Sequence, residues 1–584
     1  MRNNRLQPKT RGGIFTSHPL AAVFAFTFVC LLPAMLTRDF TPSNELRYLS
    51  IADEALTNGH LFAFYNHGLP YADKPPLYFW IVMLCRWLLG HHSIFALSLF
   101  SILPAFGIVA VMDRMVMKGQ SAMNRMATAM MTLTCVMFLG TMVVLRMDML
   151  MCLFITLAIA TFYRMYSGEG ARKSDSVMLP VWIFLALFTK GPVGLLMPPL
   201  AIAVFLAVKR DWKGFRKYLG LKTWGIIAVL AAIWLSCVWF EGDAEYIDNL
   251  LFKQTMGRAV NAFTHAKPFW FYLVSIWWCL APYCLLLIGS LVVSLIPARH
   301  LPSDKAAGTS DSSQTPSSKR SDLEILLLCA IVSTIVMLSC FSSKLPIYLV
   351  PVFPFIVYLL PVLLGRTGEH RWMPWAVGIF TVLLIIVGAG ALLILLGAVS
   401  VPAVNKLLNE YSFAREIPVI NGIILLTLAN CIGLWFLVKR KCWNIPSFLL
   451  GAGLLLAVFS ASAVMREINP YLGYGAICAK VPEGSDVATV FLHRPENIDA
   501  YIGRQITDYG KDCEMLTDDV LRLSANNDDQ ALASATCSPE TRPLTIITLA
   551  SKLDEYPGLK AIFSSGTTLY AGPYCLTTVN TRSE

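Results

Sequence analysis

The sequence predicts an all-α polytopic membrane protein that carries one small outer α/β domain. Three observations predict it. Hydrophobic residues make up 56% of the 584 and charged residues 14%, where a soluble surface needs roughly a quarter charged. Apolar runs of about 20 residues, long enough to cross a bilayer core as a helix, recur along the chain. From residue 466 onward the composition turns polar. Together these exclude a soluble enzyme, a disordered chain and a secreted disulfide scaffold. A β-barrel would show short alternating segments instead. The net charge of +10 is expected to sort onto cytoplasmic loops and does not point to nucleic acid.

Thirteen spans are expected, near 14–36, 94–112, 124–143, 148–163, 177–189, 192–208, 223–240, 270–296, 323–341, 347–365, 374–399, 416–438 and 446–465. Each is read as a helix because lipid forces backbone groups to pair internally. The first is too long for a removable signal peptide and lacks a cleavage pattern. The stretch 76–90, PLYFWIVMLCRWLLG, is apolar but short and carries Arg86. It is read as a helix lying in the membrane interface.

Charge supports that reading. With a cytoplasmic N-terminus the inner loops, Arg125 included, hold 25 Lys and Arg, more than twice the number in the short outer loops. Counting 76–90 as a span would put KRDWKGFRK (209–217) and KRK (439–441) outside, against the positive-inside rule. Residues 302–320, rich in Ser, Pro and Lys, read as a flexible cytoplasmic linker within a membrane domain of residues 1–465.

Residues 466–584 form the expected outer domain, with DVATVFLH (486–493) and PLTIITLA (543–550) as strands. Of the 15 cysteines, Cys478, Cys513, Cys537 and Cys575 fall there. An oxidising compartment would allow one or two disulfides among them, and free thiols in a small core are the equal alternative.

Ionisable residues near membrane spans are functional candidates. Here Glu45, Arg47, Asp73, Lys74, Arg146, Asp148, Lys190 and Lys344 all fall on outer turns. Each has a structural reading. Arg47 and Lys344 can snorkel, Lys190 can anchor a span end, Asp73–Lys74 can be a loop ion pair, and Glu45 can support a helix start. Their shared side is what points to a polar site facing outward. Lys and Arg bind phosphate oxygens, and a carboxylate acts as base or positions a nucleophile. The set therefore suits a phosphate-bearing lipid. No nucleotide-binding fingerprint is present, so an activated lipid is the expected energy source. His265, with Asp73 or Glu45, could ligate a divalent metal. A hydrogen-bonded loop histidine is the more ordinary reading.

These residues stand in motifs that resemble the aminoarabinose transferases and protein O-mannosyltransferases of the GT-C glycosyltransferase class. The matching segments are NELRY (44–48), ADKPPLYFW (72–80), KGP (190–192), HAKPFWFY (265–272) and SKLPIY (343–348). The resemblance covers roughly residues 14–365. It implies a GT-C fold and inverting transfer of a sugar from a polyprenyl-phosphate carrier on the periplasmic side of a bacterial inner membrane. In the aminoarabinose branch the acceptor is lipid A. By the same resemblance Lys74 is the essential lysine, Asp73 its acidic neighbour, Arg47 the arginine of the first motif, Asp148 the acidic residue after the third span and Lys190 the lysine of KGP. Arg47, Lys74, Lys190 and Lys344 are expected to hold the donor phosphate, and Glu45 and Asp148 to serve the acceptor or the sugar. The family's first motif begins with Asp where this chain has Asn44, followed by Glu45. An amide cannot take a proton. Either Glu45 has assumed the catalytic role or the acceptor needs no base, as a lipid A phosphate would not.

The leading expectation is thus a polyprenyl-phosphate-sugar glycosyltransferase acting on lipid A, another glycan or a protein, the last as an O-mannosyltransferase would. A transporter or flippase of lipid-linked sugars is the rival; it would place ionisable residues at mid-span and on both sides. A catalytically inactive relative is a third reading, motivated by Asn44.

Overall fold

The computed structural model describes residues 18–242, 244–250, 267–296, 320–530 and 543–579, with the backbone alone described over 522–530. The expected linker 302–320 lies outside these except for Arg320. Two compact units are present. The first comprises residues up to 35, 73–75 and 98–462; the second comprises 36–72, 76–97 and 463–584.

The first unit is helical. Among the described residues ten helices are long and apolar enough to cross a membrane, and a bent pair, Ala122–Thr134 and Val136–Val143, makes an eleventh. The chain is therefore a multi-pass membrane protein, with fewer full-length spans than the thirteen expected. The two differences have local causes. The expected span at 270–296 is broken into Phe271–Cys279 and Cys284–Leu295, with Pro282, which has no N–H to continue a helix, at the break. The expected span at 177–189 is a 16-residue helix, Asp175–Lys190, shorter than the other spans.

That short helix still runs the length of its neighbour. Arg164 bonds Asp175 with Nη2 at 2.8 Å, at one end of the pair. Lys190 bonds Asp148 at the other. The helices Asp148–Ser167 and Asp175–Lys190 are thus antiparallel. Backbone groups left by the two breaks satisfy each other: Val136 N donates to Ala281 O at 2.9 Å. This meets the rule that irregular backbone inside a membrane protein must find internal partners.

The ends that the sequence assigns to the inner side are stitched by ion pairs. Arg125 forks onto Asp113, Lys209 bonds Asp322 at 2.7 Å, and Arg366 pairs with the buried Glu324 at 2.9 Å. Serine caps start two of these helices, Ser121 accepting from Asn124 N and Ser321 from Glu324 N, as N-capping favours.

The second unit holds a five-stranded mixed sheet. A two-residue hairpin, β1 (Tyr65–Asn66) and β2 (Leu69–Pro70), precedes it in the chain. The sheet strands are β3 (Asp486–Thr489), β4 (Thr507–Asp508), β5 (Leu544–Leu549), β6 (Thr568–Ala571) and β7 (Tyr574–Val579), in the order β4-β3-β5-β7-β6. β3 runs parallel to β4 and β5, and β7 antiparallel to β5 and β6. Val490, Leu516, Ile546, Leu559 and Phe563 pack its core. The two strands expected from sequence are β3 and β5. The β6–β7 hairpin turns at Gly572, whose φ of +58° favours glycine. Cys478, Cys513 and Cys575 are free thiols; Cys537 lies outside the described residues.

The unit also contains the helix Leu77–Leu89. At 13 residues and about 1.5 Å per residue it is too short to cross a bilayer, in keeping with an interfacial helix. Leu84, Trp87, Leu88 and Leu89 are exposed on it.

Candidate active site

In the first unit, KGP makes the turn between two helices. Lys190 ends Asp175–Lys190, and Gly191 takes φ +100°, ψ −151°, a conformation only glycine adopts without strain. Pro192 then opens Pro192–Lys209 as its first residue. Gly194 lets that helix close on its neighbour: a Cβ there would stand 2.3 Å from Ala186 O. The tight packing fixes where the Lys190 ammonium points.

It points at Asp148. This carboxylate is 1% exposed and sits in the first turn of its helix, where the helix dipole favours a negative charge. Lys190, in the last turn of its own helix, is placed where a positive charge is favoured. One Asp148 oxygen accepts from Lys190 Nζ; the other accepts from Arg146 Nε at 3.1 Å. Lys190 Nζ also lies 5.0 Å from the ring centroid of Tyr348, a cation–π distance. Lys74 adds a third positive charge that acts on Lys190; its own ammonium is 3.3 Å from Asp73. Arg146, Lys190 and Lys74 thus bring three cations against two carboxylates, a net positive patch suited to a phosphate.

The HAKPFWFY and SKLPIY segments meet. Lys267 N donates to Ser342 O at 3.4 Å, and Lys344 Nζ donates to Lys267 O at 3.0 Å and to Phe341 O. Lys344 is 4% exposed, so its ammonium ties backbone together at the start of the turn that presents Tyr348. His265 lies outside the described residues. Among the described residues no group of three or more His, Cys, Asp or Glu is arranged to hold a metal ion.

In the second unit, the NELRY motif begins in a wide turn. Pro42–Leu46 closes with Leu46 N on Thr41 O at 3.2 Å, one residue more per turn than an α-helix. The helix Arg47–Asn58 follows. The turn carries Glu45 fully inside, 0% exposed. Arg38 grips it with both terminal nitrogens, Nη1 at 2.8 Å and Nη2 at 2.6 Å, and Thr41 N donates to the same carboxylate at 2.6 Å. Asn44 Oδ1 accepts from Arg47 Nη2 at 3.0 Å, and the Arg47 guanidinium lies 5.5 Å from the Tyr71 ring centre. Arg38, which holds Glu45 in the second unit, and Tyr348, which faces Lys190 in the first, are partners of candidate residues that the sequence reading did not assign. Tyr348 stands inside a quoted motif, SKLPIY, whereas Arg38 lies in none.

The fold is that of the GT-C membrane glycosyltransferases. The crystal structure of ArnT from Cupriavidus metallidurans bound to undecaprenyl phosphate superposes with a TM-score of 0.68 at 17% identity, covering 98% of this chain and 100% of that one. The chain is similar in sequence to proteins named undecaprenyl phosphate-alpha-4-amino-4-deoxy-L-arabinose arabinosyl transferase. One from Edwardsiella ictaluri is 24% identical over 481 residues, 79% of each chain. Another, from Pseudomonas fluorescens, is 24% identical over 480 residues, 80% of this chain and 77% of that one. No family model matches. The resemblance read from the motifs is thus borne out, and it extends well past residue 365.

Proposed function

We propose that this protein is an integral-membrane glycosyltransferase that takes its sugar from a polyprenyl-phosphate carrier and transfers it to lipid A, or to another envelope acceptor, on the periplasmic face of the inner membrane. By likeness to its relatives the sugar is 4-amino-4-deoxy-L-arabinose and the carrier undecaprenyl phosphate. The observation that carries the reading is the pair of cations Arg146 and Lys190 on buried Asp148, with the Lys74 charge acting on Lys190, on a fold shared with a protein crystallised with undecaprenyl phosphate.

The chemistry is a displacement at the sugar's anomeric carbon. The acceptor oxygen forms the new bond, the bond to the carrier phosphate oxygen breaks, and the carrier leaves as a phosphate monoester with one more negative charge. Lys74, Arg146 and Lys190 stabilise that developing charge, a contribution that grows toward the transition state. Asp148 fixes the two cations it bonds. Lys344 holds the turn of Tyr348. Arg47 and Asn44 are proposed as further substrate contacts.

Glu45, enclosed by Arg38 and Thr41 N, serves best as an internal brace. A phosphate acceptor is already an anion and needs no base, which agrees with Asn44 in place of a carboxylate.

The test is reconstitution. Purified protein, undecaprenyl-phosphate aminoarabinose and lipid A are incubated, and the product is read by mass spectrometry. Modified lipid A supports the proposal. Transfer to a protein hydroxyl instead would favour the O-mannosyltransferase-like reading, and carrier movement across the bilayer without transfer a flippase. A chelator arm tests whether Asp73 and His265 hold a divalent metal.

A further inference from the structure

In the second unit, the loop leading to the NELRY motif is bound to the start of the tail, more than 400 residues later. Asn469 reads the loop backbone with both ends of its amide. Nδ2 donates to Thr37 O at 2.7 Å and Oδ1 accepts from Asp39 N at 2.8 Å. Asp39 is the hub. One of its oxygens accepts from Phe40 N at 2.8 Å and from the Tyr501 hydroxyl; the other accepts from Gly475 N at 2.7 Å. Arg494 donates to Ser43 O at 3.2 Å, and Ser50 donates to Asp499 at 2.8 Å. Two glycines make the approach close. A Cβ at Gly473 would stand 2.3 Å from Phe40 O, and one at Gly475 would stand 2.6 Å from an Asp39 oxygen.

A wide turn of this kind is a rare backbone arrangement, closed here by the bond from Leu46 N to Thr41 O. Pro42 removes a donor at its start. The external hydrogen bonds supply what the local sequence lacks.

We infer that residues 469–501 are a positioning element for the transfer reaction, fixing through Asp39, Asn469 and Tyr501 the loop that presents Asn44 and Arg47. This rests on the proposed glycosyltransferase reading. It assigns the beginning of the tail, the region where the motif resemblance is weakest, a role in setting rate without contact with the reacting atoms.

Two variants test it in the full-length purified protein: Tyr501→Phe, which removes one hydroxyl, and Arg494→Ala, which removes one exposed contact. Hydrogen exchange at amides 40–47 is measured alongside kcat and KM for the donor. Each variant is expected to speed exchange at 40–47 by about tenfold, the worth of roughly one net hydrogen bond, with exchange in the sheet strands unchanged. Tyr501→Phe is expected to lower kcat several-fold and leave donor KM within about twofold, as loss of transition-state positioning does. Unchanged exchange at 40–47 in both variants overturns the inference, whatever the rate. Faster exchange with a wild-type kcat also overturns it, because the loop would then be held without consequence. If the wild-type protein transfers no sugar, the glycosyltransferase reading and the positioning role that rests on it fail together, and the exchange result then reports only whether the tail holds the loop.

Discussion

Lys190 and Asp148 join the last turn of one helix to the first turn of its antiparallel neighbour, 42 residues earlier in the chain. Arg146 holds the second oxygen of the same carboxylate. A buried carboxylate carrying two cations is stable only as a set. Removing the anion leaves two charges repelling each other in a poorly hydrated place.

Asp148→Ala is therefore expected to destabilise the protein by on the order of 3–5 kcal/mol, the range for breaking a buried ion pair. Lys190→Met is expected to cost less, because Arg146 remains on Asp148. Melting curves of the detergent-purified variants decide the order. Equal melting temperatures for Asp148→Ala and the wild type would contradict the buried cluster.

Lys74→Ala is expected to abolish transfer while leaving membrane insertion and melting temperature nearly unchanged. Its ammonium pairs with the neighbouring Asp73 at 3.3 Å within one loop, and the loss of such a local pair costs little stability. Turnover with purified donor and acceptor measures it. Near-wild-type turnover would return Lys74 to a loop ion pair.

Glu45→Gln is expected to lower the rate less than tenfold on a phosphate acceptor, because a glutamine oxygen still accepts from Arg38 and no proton need be removed. Loss of a true general base would lower it by roughly two to four orders of magnitude. Asn44→Asp is expected to be tolerated. A drop of that larger size in Glu45→Gln would restore Glu45 as the base and point to a hydroxyl acceptor.

Burial raises the Asp499 carboxyl above its ordinary value of 3.8, and the nearby Asp53 charge adds to the rise; the Ser50 hydroxyl, His67 and Ala500 N oppose it. A folded-state value above the unfolded one means that the protonated form stabilises the fold. That contribution is full below 3.8 and is lost as pH rises through the folded-state value. Asp499→Asn removes this dependence. Melting temperatures taken between about pH 4 and about pH 7 should thus fall less steeply in the variant than in the wild type. Parallel slopes would show that Asp499 titrates normally.

Topology is tested by labelling. Lys118→Cys, on an exposed inner-loop side chain, is expected to resist a membrane-impermeant thiol reagent in intact spheroplasts, and Glu483→Cys in the tail to react. The reverse pattern would move the whole cation cluster to the cytoplasmic face.

The sequence by itself determined the membrane class, the order of the helices, the small C-terminal domain and the motifs that carry the candidate site. Those properties are local: an apolar run of sufficient length must become a helix in lipid, and KGP turns because Gly191 and Pro192 have the backbone freedom and restriction a helix–helix turn needs. Partners were not local. Whether Glu45 faces outward or inward depends on one extra residue in a turn and on Arg38 arriving to meet it. That Lys344 spends its donors on carbonyls, and Lys190 its on Asp148, follows from how helices pack. The pair Asp39–Tyr501, 462 residues apart, exists only once the tail has folded against the loop. A charged side chain near a membrane has several acceptable partners, and the tertiary structure decided among them by which was within reach when the apolar faces closed.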